Sequence, residues 1–227
     1  MTDKKANFLL KPQAFAFLAI LYLISILGGG YDYQWLPKIL PILLLVGLAL
    51  RSRPSVPALF TLGLIFSLCG DVLLAIHQGE LFVFGLGAFL LAHVVYILAL
   101  RPFDWSYLTS RFKQLIAYGL FAGLVFSLLA TRLGELFVPV LVYMLVLLMM
   151  AMATLVSGKS NFYLMLGGAS FVLSDSMIGI DKFYTPLPYA NVLIMTTYYL
   201  AQYCLLKGML KSTPQFDGVT AAASSES

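Results

Sequence analysis

The 227-residue chain is 61% hydrophobic and 11% charged, against roughly 25% charged residues in soluble domains. That composition excludes a water-soluble globule and implies a polytopic membrane protein. The net charge of +4 is scattered over short segments between apolar runs, which excludes a nucleic-acid footprint.

Taken in chain order, apolar runs near the length of about 17 to 25 residues that spans a bilayer predict eight transmembrane helices. They cover residues 13–27, 37–50, 57–76, 81–100, 114–130, 136–156, 162–180 and 189–207. The first follows a basic start (Lys4, Lys5, Lys11) and lacks a small-residue cleavage site behind it, so it reads as a retained span. The second is short and carries Pro41. Glycine, proline and polar residues at 28–30, 51–54, 77–79, 101–102, 157–159 and 186–188 mark the seams. Residues 212–227 are small and polar and are expected to form a flexible tail after a membrane domain of residues 1–211. Cys69 and Cys204 fall inside spans and are expected to be buried thiols that fill space.

The positive-inside rule orients this all-α protein. With a cytoplasmic N-terminus, eleven basic residues lie inside: Lys4, Lys5, Lys11, Arg51, Arg53, Arg101, Arg111, Lys113, Lys159, Lys207 and Lys211. Three lie outside: Lys38, Arg132 and Lys182. Eight spans then put both termini in the cytoplasm.

Two aspartates interrupt the apolar pattern. Asp71 closes the run LIFSLCGD and Asp175 closes GASFVLSD, in the third and seventh spans. A carboxylate within a bilayer costs several kcal/mol, so each aspartate is a functional-site hypothesis by default. Both spans run in the same direction, each aspartate stands about one and a half turns from the outer end, and each span is followed by one with polar residues deep inside. Spans one to four and five to eight therefore read as two weakly similar parallel repeats. Ser67 precedes Asp71 on its face; His93 shares a face with Tyr96, and Tyr198 with Gln202. Together with Tyr199 these side chains are expected to converge on a cavity between the halves, with Lys182 beside Asp181 at its outer mouth. Plainer roles stand beside these. A protonated aspartate or His93 can be interhelical glue, the tyrosines can pack, Lys182 can be a solvated loop charge, and His77 is expected to be inert. Two histidines in different surroundings disfavour a metal site, and no nucleophile elbow supports a Ser–His–Asp triad.

The ordered set Gly70-Asp71, Phe84-Gly85, Phe89, His93, Tyr96, Gly168-Ala169, Phe171, Ser174-Asp175, Lys182-Phe183, Tyr198-Tyr199 and Gln202 resembles the YhhN/TMEM86 family of multi-span proteins over roughly residues 37 to 207. The resemblance implies lysoplasmalogenase activity: hydrolysis of the vinyl ether of a lysoplasmalogen to a fatty aldehyde and glycerophosphoethanolamine or glycerophosphocholine. Such hydrolysis begins with protonation of the outer alkene carbon. That step needs a carboxylic acid still protonated at neutral pH, and a second, ionised carboxylate to steady the cation and take a proton from water. Two carboxyl groups held together in an apolar setting share protons unequally, which supplies one acid and one base. Asp71 and Asp175 are the candidate pair, with the assignment open. His93, Tyr96, Tyr198, Tyr199 and Gln202 are expected to orient water and glycerol oxygens, and Lys182 to meet the phosphate. This chemistry needs no cofactor and no nucleic-acid partner. The partners are the lysophospholipid and membrane lipids, and the expected location is a bacterial inner membrane. The alternative is a proton-coupled transporter or channel, since repeated halves with midplane carboxylates also build carriers.

Overall fold

A computed structural model describes residues 12–29, 31–76 and 81–212. Lys4, Lys5, Lys11, His77 and the tail beyond Ser212 lie outside the described residues. Eight long helices follow one another: α1 (Pro12–Leu27), α2 (Trp35–Arg51), α3 (Ala58–Ala75), α4 (Phe82–Ala99), α5 (Phe112–Leu129), α6 (Phe137–Val156), α7 (Phe162–Gly179) and α8 (Ala190–Lys211). One helical turn, Tyr107–Ser110, precedes α5, and α7 runs on into a π-helical turn, Ile180–Tyr184. No strand occurs among the described residues.

Among the described residues, five segments are long and apolar enough to cross a membrane: Ala58–Ala75, Phe82–Ala99, Phe112–Arg132, Gly134–Val156 and Phe162–Tyr184. The chain is thus an all-helical integral membrane protein. The helices α1 and α2, at 16 and 17 residues, are shorter than that. Pro41 sits inside α2 without ending it. The described breakers at 51–54, 101–102, 157–159 and 186–188 fall at or between helix ends. Asn161 caps α7 by accepting from the N–H groups of Tyr163 and Leu164.

The closest-packed pairs are α3 with α4 and α7 with α8. Apolar side chains gain little by leaving lipid, so packing in a bilayer depends on close approach, which small residues permit. Gly63 and Gly167 each stand eight residues before an aspartate and serve that purpose. A Cβ on Gly63 would run into the Tyr96 ring of α4; one on Gly167 would lie 2.9 Å from the Leu205 backbone nitrogen of α8. Between these pairs, α4 packs on α6 and α8 on α1 and α2, so the two aspartate helices face a shared interior.

Two expectations need correction. Lys38, counted above as an outer charge, lies in the first turn of α2 and is 9% exposed. Cys69 is exposed, on the same face of α3 as Leu62 and Ile65, while Cys204 is buried as expected.

Candidate functional site

Asp71, 2% exposed, faces α2 and α8 from the last turns of α3. Its Oδ1 lies 3.3 Å from Lys38 Nζ, and its Oδ2 accepts a 2.6 Å hydrogen bond from the Tyr198 hydroxyl. Lys38 Nζ also donates to the Asp71 carbonyl at 3.3 Å, and the Tyr199 hydroxyl donates to the Lys38 carbonyl at 2.6 Å. One polar knot therefore ties α2, α3 and α8. Burying two charges is costly unless each is paired and further hydrogen-bonded, and both conditions hold here.

Asp175 has different company. Its Oδ2 accepts from the Tyr143 hydroxyl of α6 at 2.5 Å, and His93 Nε2 stands 4.0 Å from the same oxygen. That gap is too long for a hydrogen bond. His93 is fully buried, edge-on to Phe171 at 4.6 Å and Tyr143 at 5.5 Å, and neither ring nitrogen has a hydrogen-bond partner among the described residues. Unpartnered buried donors and acceptors cost about 1–3 kcal/mol, so such a group needs a reason to exist.

Asp71 and Asp175 share no hydrogen-bond partner. An aromatic layer stands between their surroundings: Phe171 is 5.7 Å from Tyr198, and Phe89 is 6.5 Å from Phe171 and 5.8 Å from Tyr198. A third polar group lies deeper, where the Tyr96 hydroxyl donates to Gln202 Oε1 at 2.8 Å and sits 3.5 Å from Ser67 Oγ.

A partly open, mainly apolar cavity lies beside Asp175. Among the described residues, the only polar side chains in its lining are Tyr143, Asp175 and Ser176, and aliphatic and aromatic groups from α3 to α7 make up the rest. Phe82 and Phe183 stand at one end, where the exposed Lys182 holds its Nζ 4.4 Å over the Phe82 ring. Lys182 itself is not part of the lining. Asp71, His93, Tyr96, Tyr198, Tyr199 and Gln202 do not line the cavity. They do not converge on one chamber: His93 meets Asp175, Tyr198 and Tyr199 serve the Asp71–Lys38 knot, and Tyr96 and Gln202 bind each other. Among the described residues no three His, Cys, Asp or Glu side chains gather as a metal-binding set.

Sequence reasoning missed Lys38 and Tyr143. Lys38 fell within a predicted span yet was read as a loop charge. Tyr143 is, with Thr154, one of two polar side chains in an otherwise apolar span.

Residues 33–209 match the model of the YhhN family. The chain belongs to the YhhN family. The match includes Lys38, Asp71, His93, Tyr143, Asp175 and Gln202, so this YhhN site lies wholly inside it. Lysoplasmalogenase TMEM86B from Homo sapiens is 36% identical over 180 residues, covering 78% of this chain and 75% of that protein. Lysoplasmalogenase TMEM86A from Homo sapiens is 35% identical over 162 residues, 67% of this chain and 65% of that protein. Lysoplasmalogenase from Mycobacterium bovis is 34% identical over 163 residues, 70% of this chain and 60% of that protein. No solved structure matches this YhhN chain.

Proposed function

We propose that this protein is a lysoplasmalogenase, an ether-bond hydrolase that cleaves the vinyl ether of a lysoplasmalogen without a cofactor. The observation that carries the reading is a cavity apolar enough for an alkenyl chain, with Asp175 the only carboxyl in its lining among the described residues. The relatives are named as enzymes, which leaves the carrier reading unsupported.

The chain's own residues supply each step. Asp175, in its neutral form, transfers its proton to the outer alkene carbon, and the bond electrons of the vinyl group make the new C–H bond. The inner carbon and the ether oxygen then share the positive charge of an oxocarbenium ion, with the Asp175 carboxylate as counter-ion. Water adds to the inner carbon and returns a proton to Asp175, which acts as acid and then as base. The hemiacetal collapses to an aldehyde and the glycerol hydroxyl. His93 Nε2, 4.0 Å behind Asp175 Oδ2 and without a hydrogen-bond partner among the described residues, backs the carboxyl from outside the cavity. Asp71 is the second carboxyl of the pair, behind the Phe171 wall. Tyr96, Tyr198, Tyr199 and Gln202 fix the helices that form the back of the site.

The proposed setting has eight spans in two parallel halves with both termini cytoplasmic, in a bacterial inner membrane. The helix pairs support the halves: α3 with α4 mirrors α7 with α8, each holding a glycine eight residues before its aspartate. The cavity lies at the end shared by Lys182 and Phe183, so it opens on the non-cytoplasmic side, and the phosphate meets Lys182.

Tyr143→Phe keeps the ring and removes the hydroxyl that Asp175 accepts. Its kcat for aldehyde release is expected to fall about tenfold with KM unchanged, the worth of one hydrogen bond to a reacting group. An unchanged kcat removes Tyr143 from the mechanism. The reaction class itself is tested by giving detergent-purified protein an alkenyl and an acyl lysolipid side by side. Aldehyde from the first and no fatty acid from the second is expected. Fatty acid release, or binding of both without turnover, contradicts the reading.

A further inference from the structure

Each aspartate is approached by the second helix of its own half and the fourth helix of the other half. Asp71 meets Lys38 of α2 and Tyr198 of α8. Asp175 meets Tyr143 of α6 and faces His93 of α4. The corresponding places on the second helices hold an ammonium in one half and a phenol in the other. Asp175 has no lysine or arginine within 4.0 Å among the described residues.

That difference separates two carboxyls that otherwise match. A buried carboxylate beside a hydrogen-bonded ammonium forms a pair without net charge, whereas a lone buried carboxylate is costly. The paired carboxyl is therefore favoured without its proton, and the lone one with it.

We infer that Lys38 is a positioning residue of the hydrolysis, acting through Asp71. Its ammonium holds Asp71 as the carboxylate, and this leaves the transferable proton on Asp175, the carboxyl that borders the cavity. Lys38 does not line the cavity. A role in packing alone would leave its effect independent of Asp71; the role inferred here makes the two residues one unit. The inference rests on the lysoplasmalogenase reading.

The test is a double-mutant cycle on purified protein, with kcat and KM for aldehyde release from an alkenyl lysolipid and the melting temperature as readouts. Lys38→Met should lower kcat about a hundredfold with KM unchanged, and Lys38→Arg, which keeps the charge, should recover to within about tenfold of wild type. The double variant Lys38→Met with Asp71→Asn should be no slower than Asp71→Asn alone, and should melt above Lys38→Met because no unpaired charge remains buried. If Lys38→Met fails to fold, the double variant still decides. A rate equal to that of Asp71→Asn supports the inference, and a slower one overturns it. Wild-type turnover in Lys38→Met overturns it, as do independent, multiplying effects of the two substitutions. An active wild type with such independent effects sinks this inference alone. A folded wild type that releases no aldehyde sinks the functional reading beneath it.

Discussion

Asp175→Asn is expected to release aldehyde at no more than about one-thousandth of the wild-type rate, with KM close to wild type. An amide has nearly the shape of a carboxylic acid but cannot give a proton to carbon. The cavity, lined mostly by apolar groups that the substitution leaves in place, should still take the alkenyl chain. The fold should survive, because the introduced amide retains an oxygen that can accept from the Tyr143 hydroxyl in place of Asp175 Oδ2. Steady-state kinetics together with a melting curve check both halves of the expectation. A folded Asp175→Asn protein with near-wild-type turnover removes this residue from the chemistry.

The second large effect concerns stability. Gly167→Leu should destabilise the protein by about 3 kcal/mol or more, read as a lower melting temperature in detergent and a loss of monodisperse protein. A Cβ at this position lies 2.9 Å from the Leu205 backbone nitrogen, and backbone inside a helix has little room to give way. The α7–α8 pair must then separate, and it carries both Asp175 and Tyr198. Gly47 in α2 is the control. A Cβ there meets nothing within 4 Å, so Gly47→Ala should melt at or slightly above wild type. Equal melting temperatures for Gly167→Leu and Gly47→Ala would mean that the helices do not pack this closely.

Much of the helical framework was legible because its punctuation is local. Proline, glycine and polar seams end each apolar run, and the observed α6 (Phe137–Val156) and α7 (Phe162–Gly179) differ from the expected 136–156 and 162–180 by one residue at a single end. Inward and outward faces were not legible. A membrane helix is apolar on both sides, so the periodicity that betrays a soluble core is weak here, and Cys69 was assigned to the interior although its face of α3 looks outward.

The same limit shaped the reading of the site. Asp71 and Asp175 stood out because burying a carboxyl in lipid demands an explanation, and that holds whatever surrounds them. Their partners depend on which helices meet, which no local pattern encodes. Lys38, one turn into its helix, was indistinguishable from a loop charge, and Tyr143 from an ordinary packing tyrosine. The polar residues of α4 and α8 were expected in one chamber. The structure divides them among three small groups because Phe89, Phe171 and Tyr198 fill the space between.

Protonation of the alkene carbon fixes which C–O bond breaks. The water oxygen must enter the aldehyde, and the original ether oxygen must leave with glycerol. Turnover of an alkenyl lysolipid in ¹⁸O-labelled water, followed by mass spectrometry of the glycerophospho product, reads this directly. The account predicts an unlabelled glycerol product. A glycerol hydroxyl carrying ¹⁸O would mean that water attacks the glycerol carbon, and the proposed proton transfer from Asp175 to carbon would then be wrong.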